Sequence, residues 1–183
     1  MSGHNKWGQI KHKKAITDQK RAKIFTKLLA AIQVAARDEV NPDFNPRLRT
    51  AVIKAKEANV PQENIERAIN RAKDNPTEDL LIEAYGPGGT AFLITAITDS
   101  RNRTISEIKK LLSDNGAKFA DQGSVRWMFE VDQEGEWSPK FEQPAEDKTK
   151  EEVGAIMEAL DDHPDVSEVY ANIDMGNIEE NGD

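Results

Sequence analysis

The stretch Leu80–Thr98, LLIEAYGPGGTAFLITAIT, decides the fold of the second half of this 183-residue chain. Its two apolar runs, 80–85 and 90–98, have the length and composition of buried strands. The glycine cluster Gly86–Gly89 between them is typical of a tight turn. A nucleotide-phosphate loop is the other interpretation of such a cluster, but the sequence has neither GxGxxG spacing nor a following GK[ST]. The pattern therefore predicts a β-hairpin.

Helix and strand signals alternate after this hairpin. Thr104 with Glu107, and later Thr149 with Glu152, form capping boxes that predict two helix starts. Gly116 is placed to end the first of these helices, and Pro164 to end the second. Strands are predicted over 117–120, 124–131 and 166–173. The second half should therefore be an α+β sandwich with helices packed on one face of a sheet.

Three amphipathic helices are predicted before the hairpin. From Thr17, apolar residues recur at helical spacing, and Asn45 followed by Pro46 is a helix N-cap followed by a first helical position. Pro61 opens the third helix. The predicted fold class is mixed, an N-terminal three-helix bundle followed by an α+β sandwich domain. The predicted organisation is a basic arm plus helical bundle (1–75), an α+β domain (76–131 and 149–175), a polar linker (132–148) and a disordered tail (176–183).

The charge of the chain changes sign along its length. Residues 1–73 hold 16 basic and seven acidic side chains, whereas residues 130–183 hold three basic and 18 acidic ones. Within residues 1–27 there are eight lysines or arginines against one acid, Asp18. A basic end on a chain of net charge −8 predicts contact with a polyanion such as nucleic acid. The acidic end is interpreted as a solvated surface that supplies solubility.

This charge pattern indicates which residues are candidates for binding nucleic acid. Lysines and arginines neutralise phosphates, and aromatic rings stack on bases. A second group of arginines follows the strand that ends at Thr98 and leads into a helix N-terminus, where backbone N–H groups favour anions. Pairing of these arginines with Asp99 or Asp121 is an equally good interpretation. The predicted nucleic-acid-binding residues are Lys6, Trp7, Lys11, His12, Lys13, Lys14, Lys20, Arg21, Lys23, Lys27, Arg101 and Arg103.

The sequence gives little support for catalysis. It contains no cysteine, and its three histidines lack the spacing of metal ligands. The acid pair Asp161-Asp162 is best explained as a solvated helix end. We predict no enzyme, no cofactor and no metal. No run approaches the roughly 20 apolar residues of a membrane helix, and the basic N-terminus lacks the apolar segment of a signal peptide. We therefore expect a cytoplasmic protein without a membrane partner.

Several motifs resemble those of the YebC/PmpR family. The first 27 residues, MSGHNKW followed by IKHKKA and KIFTK, are similar to the family's opening. Further matches are spread over both predicted domains and cover residues 1–131 almost without gaps, resuming near Glu152. They are Asn45–Arg49, Asn64–Ile69, Tyr85–Ala91, Asp99–Thr104, Gly123–Val125, Ala159–Asp162 and Asp165–Tyr170.

The resemblance implies both a fold and a function. Members have a helical bundle, an α+β domain and a ferredoxin-like domain inserted into the second. Here the insertion point holds only the polar stretch 132–148, so we expect the third domain to be missing. The family is described as DNA-binding transcriptional regulators, and related members as translation factors that act on stalled ribosomes. The expected partner is therefore duplex DNA or ribosomal RNA, with the ribosome itself as a further partner.

A different class of function fits the same charge pattern. A protein–protein adaptor could bind different proteins with its basic and acidic ends. Its binding would survive nuclease treatment of the partner extract, whereas nucleic-acid binding would not.

Overall fold

The structure is a computed structural model that describes residues 18–74, 76–133 and 135–175. Three helices come first: α1 (Asp18–Ala35), α2 (Pro46–Glu57) and α3 (Gln62–Arg71). An α+β domain follows, with strands β1 (Glu78–Tyr85), β2 (Ala91–Thr98), β3 (Lys118–Ala120), β4 (Phe129–Val131), β5 (Trp137–Pro139) and β6 (Val166–Ala171), and helices α4 (Arg101–Asp114) and α5 (Asp147–Asp161). This arrangement confirms the predicted fold class.

The three helices pack around a small apolar core. Ile32, Leu48, Ala55 and Ile65 are completely or almost completely buried in it. Ile24, one of the apolar residues that recur at helical spacing after Thr17, is 39% exposed. The contact of α1 with the bundle core therefore begins at Phe25, which is partly buried against that core.

Asn45 joins the end of α1 to the start of α2. Its side-chain oxygen accepts the N–H of Leu48 at 3.0 Å, as expected of a helix N-cap. Its side-chain nitrogen donates to the carbonyl oxygens of Ala35 and Glu39, each at 2.7 Å. Pro46 occupies the first helical position, which confirms the prediction made from the Asn45-Pro46 pair.

The predicted hairpin is the centre of a four-stranded sheet of order β3-β1-β2-β6. β1 and β2 are antiparallel, with Tyr85 opposite Ala91. The turn between them is a short 3₁₀ segment in which Gly88 has a φ of +66°, a backbone conformation that favours glycine. At Gly86 a Cβ would lie 2.3 Å from the ring of Phe92, so a side chain there would force that ring to move.

Strand β2 is buried on both faces of the sheet. Phe92, Ile94 and Ala96 point into a core that α4 and α5 cover. Ala91 and Leu93 point to the opposite face, where the β4–β5 hairpin packs. The alternation follows from the two-residue period of a strand. The sheet is thus covered by helices on one face, as predicted, and by a hairpin on the other.

Two helix starts differ from the predicted capping boxes. α4 begins at Arg101 rather than at Thr104, because the buried Thr104 hydroxyl donates to Asp165 and lies 2.7 Å from the Thr98 hydroxyl instead of capping the helix. α5 begins at Asp147, before Thr149. Arg101 and Arg103 therefore lie in the first turn of a helix rather than in a loop.

The stretch 132–148 contains more regular structure than a linker. Its residues 137–139 form β5, which pairs with β4 and places Val131 opposite Trp137. Gln143 forms a further bridge to Ile173. The predicted strand 124–131 is in turn shorter, because residues 126–128 form a 3₁₀ turn before β4. Among the described helices, none is long and apolar enough to cross a membrane.

Candidate nucleic-acid interface

Half of the predicted nucleic-acid-binding residues lie outside the part of the chain that the structure describes. Lys6, Trp7, Lys11, His12, Lys13 and Lys14 belong to the segment before residue 18, and so does His4. The described part of the candidate interface begins with α1, whose first turns continue the basic sequence. Lys20 and Arg21 are both exposed there, and neither forms an ion pair with another described residue.

Lys23 and Lys27, one turn further along α1, have acidic partners in the α+β domain. Lys23 Nζ lies 2.8 Å from a carboxylate oxygen of Asp162. Lys27 Nζ lies 2.9 Å from a carboxylate oxygen of Asp161 and donates to the Asp161 carbonyl oxygen at 2.6 Å. The acid pair, which the sequence suggested was a solvated helix end, therefore anchors the helical bundle to the C-terminus of α5.

The two ion pairs differ in burial. The Lys23 and Asp162 side chains are 45% and 67% exposed, so water and salt screen their attraction strongly. The Lys27 and Asp161 side chains are only 17% and 26% exposed. Lys27 also supplies a cation and a donor at a helix C-terminus, where carbonyl groups lack intrahelical partners. Lys27 thus has a structural role, whereas Lys23 remains accessible to a competing phosphate.

Arg101 and Arg103 are also paired with acids. Arg101 lies 3.2 Å from Glu78 on β1. Arg103 lies 2.7 Å from Asp165 and 3.0 Å from Asp99. The Asp99 pairing agrees with one alternative drawn from the sequence. Both arginine side chains are about half exposed, so each retains a solvent-facing surface.

A polar network surrounds Arg103 where β2, α4 and the start of β6 meet. The Asp165 carboxylate accepts the Thr104 hydroxyl at 2.5 Å and the Arg103 guanidinium at 2.7 Å. Burial alone would raise the pKa of Asp165, but these hydrogen bonds and the charge of Arg103 outweigh it and hold the pKa below its ordinary value. The network therefore fixes the first turn of α4 against β6.

His163 belongs to the same network. Its Nδ1 accepts the backbone N–H of Asp165 at 3.2 Å, which leaves the proton on Nε2, 3.0 Å from Glu107. Glu107, His163 and Asp165 have donor atoms close enough together to consider a cation. However, Arg103 and Thr104 already occupy the Asp165 oxygen that faces them. The hydrogen bonds among these side chains explain why they lie close together.

Basic residues of α2 were not singled out from the sequence, and they too connect the two domains. Arg47 donates to both carboxylate oxygens of Asp79, at 2.7 and 2.8 Å. Lys54 Nζ lies 2.6 Å from Glu136, next to β5. These contacts link residues 32 and 82 positions apart, so no local pattern could have indicated them. Much of the basic charge of the bundle thus has acidic partners in the α+β domain.

A buried carboxylate organises the loop before β4. Glu83 on β1 is 2% exposed and accepts the backbone N–H groups of Gly123, Val125 and Arg126 at 2.6, 2.7 and 2.9 Å. Burial would raise the pKa of Glu83, but the three N–H groups and the charge of Arg126 outweigh it and lower the pKa. This loop carries Trp127, which sequence reasoning had placed within a strand.

Several exposed cations have no ion-pair partner among residues 18–74, 76–133 and 135–175. They lie on α1, on or just after the bundle's other helices, and on either side of the β4–β5 hairpin. Each can meet a phosphate without breaking an ion pair with another described residue. They include Lys20, Arg21, Lys56, Arg71, Lys73, Arg126 and Lys140. The first turns of α1 therefore offer positive charge that no other described residue neutralises in an ion pair.

Comparisons with known proteins agree with this architecture. Residues 5–75 match the sequence profile described as the TACO1/YebC protein N-terminal domain. Residues 77–136 match the profile described as the TACO1/YebC second and third domain. The two profiles meet between α3 and β1, where the structure passes from the helical bundle to the sheet.

Two relatives illustrate how the chain aligns. A protein of Solibacter usitatus, named probable transcriptional regulatory protein, is 51% identical over 134 residues, which make up 71% of this chain and 54% of the relative. The chain thus spans about half the length of that relative. A protein of the same name from Acidobacterium capsulatum is 36% identical over 243 residues, covering 98% of this chain and 99% of the relative.

A solved structure supports the same assignment. The crystal structure of a conserved hypothetical protein from Aquifex aeolicus superimposes with a TM-score of 0.86 at 30% identity, covering 97% of this chain and all of that one. Two profile matches that adjoin at the domain boundary, an end-to-end relative and a solved structure of the same fold lead to one conclusion. The chain belongs to the TACO1/YebC family.

Proposed function

We propose that this protein is a non-enzymatic regulatory protein that binds nucleic acid through its basic N-terminal segment and the first turns of α1. The observation that carries the proposal is the sign reversal of charge, with 16 basic and seven acidic residues in 1–73 against three and 18 in 130–183. Taken over each range as a whole, the first region attracts phosphates more strongly than the second. Lys20 and Arg21, which form no ion pair with another described residue, extend the basic sequence into the described structure.

The relatives support a regulatory role, since the proteins of Solibacter usitatus and Acidobacterium capsulatum are both named probable transcriptional regulatory proteins. Two targets fit such a surface. Sequence-specific duplex recognition needs side chains on a rigid element that form bidentate contacts with base edges, usually Arg, Asn or Gln. The N-terminal segment instead offers mainly lysines, which contact phosphates and do not read sequence.

We therefore favour structured RNA on the ribosome as the target, which would place the protein in the cytoplasm. Binding of duplex DNA with weak sequence preference is the second candidate, and the relatives' names favour it. The lack of a catalytic role is also a proposal. It is supported by the hydrogen bonds that hold His163 to Glu107 and Asp165.

A charge-reversal experiment tests the proposal. The variant Lys11→Glu, Lys13→Glu, Lys14→Glu lowers the net charge by six at the proposed site. A matched control, Lys110→Glu, Lys118→Glu, Lys148→Glu, makes the same change at exposed positions of the α+β domain. Fluorescence anisotropy with a labelled RNA hairpin and a labelled DNA duplex would give Kd between about 50 and 300 mM salt.

We expect wild type to neutralise about four to six phosphates, which gives a slope of log affinity against log salt of roughly −4 to −5 on duplex. The first variant should lose most of its binding, and the control should lose little. Trp7→Ala should weaken binding by about 1–3 kcal/mol if its ring stacks on a base. The proposal is wrong if the N-terminal variant and the control bind equally well.

Nuclease digestion distinguishes a protein–protein adaptor from a nucleic-acid-binding protein. Partners captured from a cell extract on the immobilised chain should be released when RNA and DNA are digested. Retention of the same partners after digestion would support the adaptor and contradict nucleic-acid binding as the main activity.

A further inference from the structure

The β4–β5 hairpin and the loop before it form an open groove of about 470 Å³. Its apolar lining includes Trp127, Val131 and Trp137, and its cationic lining consists of Arg126 and Lys140. None of these residues was predicted to bind a ligand. The groove lies on the sheet face opposite the two helices α4 and α5.

The rim of this groove exposes large apolar side chains. Trp127 is 57% exposed, Val131 51% and Phe141 48%. The Trp127 and Phe141 rings are neighbours, with centroids 6.2 Å apart and planes inclined by 46°. Single exposed apolar residues are common, but a contiguous group beside polar residues marks an interaction surface.

Trp127 is held in place despite its exposure. Its indole N–H donates to the Ser124 carbonyl oxygen at 2.9 Å, and the Tyr85 hydroxyl donates to the same oxygen at 3.0 Å. Glu83 fixes the surrounding loop through three backbone N–H groups. A ring that is already oriented loses little conformational freedom when a ligand stacks on it.

The cations of the groove are available to an anionic ligand. The Arg126 guanidinium carbon lies 5.4 Å from the centroid of the Trp137 ring. Neither Arg126 nor Lys140 forms an ion pair with another described residue. Glu130 lines the groove as well. Of the nearby acids, Glu136 is neutralised by Lys54 at 2.6 Å.

From these features we infer that the groove binds unpaired bases of single-stranded RNA, with a base stacked on Trp127 and the adjoining phosphates near Arg126 and Lys140. Aromatic rings interleaved with cations are the usual chemistry of single-strand binding. Bases inside a duplex do not expose their faces, so duplexes should not use this surface. The inference rests on the proposed function and adds to it a second contact, on a different domain from the basic segment.

Substitution at Trp127 tests this inference. The full chain would be titrated against a fluorescein-labelled 12-nucleotide oligouridylate, the matching DNA oligomer and a 12-base-pair RNA duplex. Trp127→Ala removes the ring without changing charge, and Trp127→Phe retains a ring. The matched control is Phe44→Ala, which removes a 77% exposed aromatic from the loop between α1 and α2. Circular dichroism would confirm that each variant is folded.

We expect Trp127→Ala to weaken oligouridylate binding by about 5- to 150-fold and to leave the salt slope unchanged. Trp127→Phe should retain most of the affinity, Phe44→Ala should match wild type, and duplex binding should be unaffected by all three. A larger effect with the DNA oligomer than with the RNA would contradict the choice of RNA.

Three results would overturn the inference. Trp127→Ala could bind the oligomer as tightly as wild type, or duplex affinity could fall in parallel with it. Light scattering could instead show a wild-type dimer that Trp127→Ala converts to a monomer, which would assign the groove to a second copy of the chain. Failure of wild type to bind either single strands or duplexes would refute the proposed function itself, and is thus distinguishable from these results.

Discussion

Replacement of Glu83 by glutamine tests how the loop that carries Trp127 is held. The carboxylate accepts three backbone N–H groups at 2.6–2.9 Å. Glutamine has one oxygen, which can keep the two N–H groups of Val125 and Arg126. Its NH₂ group would then face the N–H of Gly123, two donors without an acceptor.

The magnitude follows from these contacts. A hydrogen bond to a charged group contributes about 1.5–3 kcal/mol, and a neutral one roughly half as much. One bond is lost and two become neutral, while the cost of burying a charge disappears. We expect Glu83→Gln to lower the free energy of unfolding by about 2–4 kcal/mol. The control Glu130→Gln removes the same charge from an exposed position and should cost less than about 0.5 kcal/mol.

Urea denaturation at several pH values is the assay. Because folding lowers the pKa of Glu83 below its ordinary value of 4.5, the carboxylate stabilises the protein fully above that value. The stabilisation is lost as pH falls through the folded pKa. The difference between wild type and Glu83→Gln should therefore be largest near pH 7 and shrink below about pH 4.5. A cost under about 0.5 kcal/mol at pH 7, or a difference that grows on acidification, would refute this reasoning.

Two further predictions concern the junction between domains and the stretch 132–148. Lys27→Met should lower the free energy of unfolding by about 1.5–3 kcal/mol, because it removes a largely buried cation from two oxygens of Asp161. Lys23→Met, at the exposed pair, should cost less than about 1 kcal/mol in the same urea titration. Equal effects of the two substitutions would contradict the assignment. Limited proteolysis should cut first between Val131 and Thr149 or before Thr17. The fragments should remain associated because β6 pairs with β2. Early cutting within 90–112 would contradict this prediction.

Local signals in the sequence predicted most of the helices and strands. Asn45-Pro46 identified a helix start, and the glycine cluster between two apolar runs identified the central hairpin. Each signal acts within a few residues, so the sequence contains it directly. The start of α4 was missed because a partner distant in sequence intervened: the Thr104 hydroxyl binds Asp165, 61 positions away.

The candidate site was less predictable for the same reason. Charge pattern indicated the basic segment, but it could not show that Lys27 meets Asp161, 134 positions away. The groove beside Trp127 depends on Glu83, which accepts backbone N–H groups of the loop 123–126. In the sequence alone, Glu83 is indistinguishable from any other glutamate in a strand. Residues 137–139 were assigned to a linker because a three-residue strand carries too few side chains to show alternation.

Competition between targets tests the central claim most directly. Purified ribosomes and a panel of DNA duplexes of different sequence would compete for the labelled protein at about physiological salt. The account predicts that ribosomes bind the protein at the lowest concentration and that the duplexes compete equally well with one another. If one duplex competes about a thousandfold better than the others, the protein is a sequence-specific DNA-binding regulator, and the proposed ribosomal target is wrong.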